Sequence, residues 1–292
     1  MENSRPDIVF DYATAFSRNL GWVTEAEQEA LRNKRVAVAG LGGVGGSHVV
    51  ALSRLGIGAL NIADLDHFEL ANFNRQAGAS VSTLGQSKVD VMAGFARDIN
   101  PELDVREFPQ GVDRNNLDRF LEGVDLYVDA LDFFALEARQ LVFAECHTRG
   151  IPAVTAAPLG MGAALLCFVP EGMSFEQYFQ LSGHSEDEQA LRLMLGLAPS
   201  LLQMKYLVDA SRADFQARRG PSTPMATYLA AASSRAPHLS RAPTVAVGVS
   251  FFSLFENGPG GQDPASNSAP RTRGRRSGGP GRAPLAPVPQ PP

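Results

Sequence analysis

The sequence predicts an α/β fold with a doubly wound, mainly parallel sheet. Three observations carry that prediction. A β-branched run at 36–39 breaks into a glycine cluster, and a helical pattern begins directly behind it. Short apolar runs and helical patterns then alternate as far as residue 169. Aspartates stand immediately after two of the apolar runs, where open α/β sheets bind their ligands, beyond the carboxyl ends of the strands.

Composition is compatible with this architecture. The 292 residues are 44% hydrophobic, ordinary for a globular protein that forms a sizeable core. No signal peptide or membrane-spanning run is legible, so a cytoplasmic enzyme with no membrane partner is expected. Two cysteines, Cys146 and Cys167, argue against a disulfide framework or a cysteine-based zinc site, and no zinc is expected. The net charge of −5 is unevenly distributed: residues 257–292 carry five arginines and one aspartate, so the remainder is near −9. An acidic body is a poor general binder of nucleic acid. Only Lys34, Lys88 and Lys205 are lysines, so each lysine needs a reason.

Thr24 and Glu27 form a capping-box pattern that opens a helix through about Leu31. Ahead of it, Phe16-Ser17-Arg18-Asn19 places Arg18 in an N-terminal arm. The strand at 36–39 leads into Gly40, Gly42 and Gly45, which fit G-x-G-x-x-G. The three glycines serve a tight turn, close ligand approach and helix–strand packing. The helix behind, over 47–55, offers free N–H groups and a positive dipole end to phosphates. Gly43 adds another point of approach. Gly56 and Gly58 end the helix, and 59–63 is the second strand.

Asp64 ends that strand 19 residues beyond Gly45, the place of a carboxylate that accepts from ribose hydroxyls. In residues 88–99, Val89, Met92, Ala93, Ala96 and Ile99 share one helical face. Lys88 stands at its N-terminal edge, where a cation opposes the dipole. Two readings stay open: a surface lysine, or a compact point charge for a phosphate. Residues 104–108 read as a strand, 116–121 as a helix and 125–130 as a fourth strand. Asp132 lies beyond this strand, suited to a magnesium ion, which takes carboxylate, water and phosphate oxygens. A helix at 136–149 and strands at 152–156 and 162–169 follow. Cys167 reads as a small buried hydrophobe. Beyond residue 170 only a helix over 186–195 and a short apolar segment at 201–207 are legible, followed by a loop at 220–224. Residues 257–292 hold nine prolines and seven glycines with no periodicity, which predicts disorder.

The stretch from Asp64 through Asp66, Asn72, Arg75 and Gln76 (DLDHFELANFNRQ) is more specific than the glycines. With Lys88 and Asp132 it resembles the ubiquitin-activating-enzyme-like adenylyltransferases, the ThiF/MoeB/HesA family, over about residues 16–169. The resemblance implies a Rossmann-like ATP-binding domain over 35–225, preceded by an arm and helix over 1–34. Gly40, Gly42, Gly43 and Gly45 would cradle ATP, and Asp64 and Asp66 would border it. Asn72, Arg75 and Lys88 would meet the phosphates, and Asp132 would hold magnesium. Arg18 matches an arginine that dimers of this kind insert into the partner's active site, so a homodimer is implied. The implied acceptor is a carboxylate, such as the C-terminal glycine of a ubiquitin-like or sulfur-carrier protein, or a small carboxylate.

Departures qualify the resemblance. Phe133 follows Asp132 where many members carry a polar residue. The C-x-x-C pairs of zinc-binding relatives are missing, and no cysteine follows Cys167 to form a thioester. The closing helix and strands expected over 226–256 are not legible, and the arginine-, proline- and alanine-rich tail has the composition of an out-of-frame reading of a GC-rich gene. Three other functions fit some of the residues. A tRNA threonylcarbamoyladenosine dehydratase-like enzyme also activates a carboxylate with ATP and would engage tRNA. An NAD-dependent oxidoreductase accounts for the glycines and Asp64 but not for Asn72, Arg75 or Lys88. A non-catalytic ATP-binding subunit would accommodate Phe133.

Overall fold

A computed structural model describes residues 9–160 and 162–199, together with 201, 204, 207–212, 222–224 and 227. The tail 257–292, nearly all of 226–256 and Lys205 lie outside the described residues. Those described fall in one of the two compact units into which the chain divides, residues 1–258.

The strands are β1 (Arg35–Ala39), β2 (Ala59–Ala63), β3 (Asp104–Phe108), β4 (Leu126–Asp129), β5 (Ala153–Leu159) and β6 (Gly162–Phe168). They form one sheet in the order β3-β2-β1-β4-β5-β6. The first five strands pair in parallel, and β6 returns antiparallel to β5. The reversal follows from the connection, a glycine-rich bend too short for a parallel crossover. The chain leaves β1 in one direction to β2 and later enters β4 on β1's other side, so the carboxyl ends of β1 and β4 flank a topological switch point.

Alternation along each strand divides the core into two layers. Val36, Val38, Leu60, Ile62, Leu126 and Val128 pack with α3 (Gly43–Leu55) and α4 (Lys88–Ile99). Ala37, Ala39, Ala63 and Tyr127 face the other way, toward α5 (Leu117–Phe120), α6 (Leu136–Arg149), α7 (Phe175–Phe179) and α8 (Glu186–Leu197). Stacked Phe143 and Phe175, 4.3 Å between ring centroids, join α6 to α7.

The arm expected at the N-terminus is a docked helical pair. Helix α1 (Tyr12–Ala15) and a short turn at Ser17–Asn19 lead into α2 (Glu25–Arg32), which starts at the predicted Thr24–Glu27 capping box. Buried Tyr12 donates its hydroxyl to the Gly56 carbonyl at 2.6 Å, and Gln28 Nε2 donates to the Leu55 carbonyl at 2.9 Å. Both carbonyls belong to the C-terminal end of α3, where Gly56 closes the helix at φ +83°. Boundaries differ from expectation by one to four residues in several places. Helix α3 begins at Gly43, four residues earlier than the apolar pattern showed, because glycines carry no periodic side chains. Helix α5 is shorter than predicted, and β5 runs on to Leu159.

Candidate functional site

The site is built where β1, β2 and β4 end side by side. Adjacent strands lie about 4.8 Å apart, so the segments that follow them are brought together without long side chains. Behind β1 the chain turns at Gly40 (φ +88°), whose N–H donates to the Ala63 carbonyl at 2.8 Å. A side chain here would strike the Ala130 carbonyl oxygen at 2.1 Å. At Gly45 a Cβ would stand 1.7 Å from the Gly40 carbonyl oxygen. Both glycines are therefore required by packing of the turn itself.

Gly42 differs. Among the described residues a Cβ there would meet only the Gln76 amide, at 3.6 Å, which is ordinary contact. Packing against the described residues leaves its identity unexplained. Gly43 needs correction as a simple point of approach: its missing side chain makes room for Thr227, whose Cγ2 and Oγ1 would lie 3.0 and 3.2 Å from a Cβ. Thr227 is buried, and the nearby Ser222 carbonyl accepts from Asn74 Nδ2 at 2.9 Å. Residues from the far end of the described chain thus close one side of the glycine turn. Nothing local in the sequence signals this.

Asp64, at the end of β2, turns back to the glycine turn. Its Oδ2 accepts from the Leu41 N–H at 2.6 Å and its Oδ1 from the Asp66 N–H at 2.8 Å. A carboxylate has about four lone-pair sites, so about two remain for other donors. Lys88 is buried, which removes the surface-lysine reading. Its Nζ lies 2.9 Å from Asp66 Oδ2 and 4.0 Å from Asp64 Oδ1, and Asp66 is itself well exposed. The two aspartates offset the cost of a cation at the start of α4. Lys34, by contrast, pairs with Asp125 at 2.9 Å, away from the site.

Asn72 accepts from the Glu69 N–H at 2.9 Å, shaping the turn that carries Arg75. The Arg75 stem crosses the glycine turn, with Cγ 3.5 Å from the Cβ position of Gly43, while Nη1 donates to the Ala71 carbonyl. Next to it, Gln76 is buried under Gly42 with its Oε1 unpartnered. Gln76 closes the Asp64–Gln76 stretch, and its position directly after Arg75 is the sequence signal for it.

Asp132 follows β4 and is exposed, its Oδ1 accepting from the Phe134 N–H at 3.0 Å. Among the described residues no three His, Cys, Asp or Glu gather as a metal cage. A single exposed carboxylate suits a magnesium ion carried largely by phosphate oxygens and water. Phe133 packs against the second core layer, so its departure from a polar residue serves packing. Arg18 is exposed on a turn docked at the C-terminal end of α3. The 13 residues of α3 span about 20 Å, so Arg18 does not reach the glycine turn of its own chain.

Neither cysteine is poised as a nucleophile. Burial in α6 pushes the Cys146 thiol well up, and burial in β6 pushes Cys167 up to about 12. No helix among the described residues is long and apolar enough to cross a membrane.

A model of the ThiF family matches residues 16–231. The chain is 37% identical over 150 residues to the tRNA threonylcarbamoyladenosine dehydratase of Bacillus subtilis, covering 51% of this chain and 57% of that protein. It is 32% identical over 152 residues to the SAMP-activating enzyme E1 of Haloferax volcanii, covering 52% and 56%. To the molybdopterin-synthase adenylyltransferase of Salmonella typhimurium it is 30% identical over 141 residues, covering 48% and 56%. The chain thus matches little more than half the length of these relatives. Among solved structures, the tRNA N6-threonylcarbamoyladenosine dehydratase of E. coli in complex with ATP shares the fold. Its TM-score is 0.53 over 77% of this chain and 94% of that one, at 23% identity. With the family model matching most of its length, and with the strand ends arranged as described, the chain belongs to the ThiF family.

Proposed function

We propose that this protein is an ATP- and magnesium-dependent adenylyltransferase that activates a carboxylate as an acyl adenylate. One observation carries the reading: at the glycine turn before α3, Asp64 accepts from the Leu41 N–H, Lys88 lies beside Asp64, and the Arg75 stem passes Gly43. A helix N-terminus and two cations favour a polyphosphate over a nicotinamide dinucleotide with its two phosphates. The NAD-dependent alternative leaves Lys88 and Arg75 without a task.

In the proposed reaction a carboxylate oxygen of the acceptor attacks the α-phosphorus of ATP. The bond from that phosphorus to the bridging oxygen breaks, and pyrophosphate leaves. The acceptor is already ionised at neutral pH, so no general base is needed. The protein's share is positioning and charge neutralisation. Asp64 would orient the ribose, Asn72 and Arg75 would hold the phosphates, and Lys88 would lie against the transferring group. Asp132 would hold magnesium, which adds neutralising charge. In a homodimer Arg18 would serve the partner's site.

For the acceptor, the first reading is the C-terminal carboxylate of a ubiquitin-like or sulfur-carrier protein, supported by relatives named SAMP-activating enzyme E1 and molybdopterin-synthase adenylyltransferase. A second reading, activation of a carboxylate on modified tRNA, is favoured by the dehydratase at 37% identity. ATP–pyrophosphate exchange tests the activity: exchange should require the acceptor and fall at least about a hundredfold in Arg75→Ala or Asp132→Ala. Unchanged exchange in both variants overturns the reading. Exchange driven by carrier proteins but not by bulk tRNA, or the converse, decides between the acceptors. A thermal shift with NAD and none with ATP and magnesium would return the oxidoreductase.

A further inference from the structure

The turn that carries Asp132 has an unusual source of order. Helix α6 follows it directly, yet its N-cap is Ala135, which offers no side-chain hydrogen bond. The customary device for fixing a strand-to-helix turn, a Ser, Thr, Asp or Asn cap, is missing. The turn has its own bonds, from the Phe134 N–H to Asp132 Oδ1 at 3.0 Å and from the Ala135 N–H to the Asp132 carbonyl at 3.0 Å, and to these a side chain from one turn further along the helix adds a clamp. Arg139 is 95% buried and spends its guanidinium almost wholly on this segment, as its 5% exposure shows. Nη2 donates to the Leu131 carbonyl at 2.7 Å and the Asp132 carbonyl at 3.1 Å, and Nη1 donates to the Phe133 carbonyl at 3.2 Å. Nε donates to Asp129 Oδ2 at 2.8 Å. Asp129, 1% exposed at the end of β4, also accepts from the Leu131 N–H through Oδ1 at 3.3 Å.

We infer that Arg139, anchored by Asp129, is a positioning residue that fixes the 131–133 turn so that Asp132 presents its carboxylate to a divalent cation. Three consecutive carbonyls gripped by one planar fork leave the turn no freedom to rotate, while the Asp132 side chain stays exposed at its apex. Only a guanidinium has enough donors in a rigid fork to do this; an ammonium could keep the partner Asp129 but could not bridge three carbonyls. A buried charge pair is costly to assemble, so its presence beside an exposed acidic residue favours a role in specifying one conformation. The inference rests on the metal role proposed for Asp132.

The test uses the full chain with manganese as the probe. Arg139→Lys retains the charge pair and loses the fork; Arg139→Gln with Asp129→Asn removes both charges together. Manganese binding is followed by electron paramagnetic resonance in the presence of a non-hydrolysable ATP analogue, with amide exchange measured over 130–135. In both variants manganese affinity should fall about tenfold, as for residues that orient a metal ligand. Exchange over 131–134 should accelerate, while nucleotide affinity without metal stays within about twofold. Wild-type manganese affinity in Arg139→Lys and in the double variant, alongside a loss in Asp132→Asn, overturns the positioning role and leaves Asp132 as a ligand. Wild-type manganese affinity in Asp132→Asn overturns the metal role of Asp132 and the clamp with it. Failure of both Arg139 variants to fold also overturns the inference, because the clamp is then a folding element.

Discussion

The glycine turn permits a test in which stability and binding should separate by position. In Gly45→Ala the new methyl falls 1.7 Å from the Gly40 carbonyl oxygen. That oxygen is backbone, and Gly40 is held by its own hydrogen bond to Ala63, so the clash has no side chain to push aside. Over-packing of this kind costs about 3 kcal/mol or more. At roughly 2–4 °C per kcal/mol for a domain of this size, the melting temperature should drop by about 6–12 °C. In Gly42→Ala the methyl meets, among the described residues, only the Gln76 amide at 3.6 Å. Loss of an acceptable N-cap costs about 1 kcal/mol. The fold should therefore keep its stability to within about 1 kcal/mol. Binding should behave in the opposite way, since the methyl occupies the space a phosphate needs before the N–H groups of α3. A tenfold to hundredfold loss of ATP affinity, about 1.4–2.7 kcal/mol, is expected. Thermal melting and titration calorimetry with ATP and magnesium measure both quantities. Wild-type ATP affinity in Gly42→Ala, or a wild-type melting temperature in Gly45→Ala, would refute the assignment of the two glycines.

Lys88→Met should lower pyrophosphate exchange by about two orders of magnitude. Its effect on stability should stay near 1 kcal/mol, because the Asp66 it abandons is already exposed to water and Asp64 keeps its bonds from the Leu41 and Asp66 N–H groups; a collapse in melting temperature would instead mark Lys88 as structural. His48 is buried in α3 with Nε2 unpartnered, and desolvation lowers its pKa from 6.5 to about 4. As pH falls from about 6.5 to about 4 the unfolded chain takes up this proton before the folded one, so stability is full above that window and declines through it, by on the order of 3 kcal/mol. Denaturant melts across pH should show a flatter slope in His48→Asn; parallel profiles would exclude His48 as the source. Substituting Cys146 by Ala and Cys167 by Ser together should leave exchange within about twofold, since neither thiol supplies a thiolate at neutral pH. Loss of turnover in this variant, with the fold intact, would bring back a covalent thioester step.

Much of this protein was determined locally and could be read from the chain. The alternation of strands and helices, the capping box at Thr24, and the order of glycine turn, Asp64, Asn72, Arg75, Lys88 and Asp132 depend on neighbours within a few residues. They survive as sequence patterns because local propensity and the fold agree there. Tertiary structure decided what depends on partners distant in sequence. It buried Lys88 between two aspartates, docked the Arg18 turn at the wrong end of α3 for its own site, and explained Phe133 as packing. It also reassigned the glycines. The spacing treats Gly40, Gly42, Gly43 and Gly45 alike, but Gly40 and Gly45 yield to backbone carbonyls, and Gly43 yields to Thr227, 184 residues away. At Gly42 the described residues offer a side chain only ordinary contact. A missing side chain looks the same in every sequence position, and only the atoms that fill its space tell why it is missing.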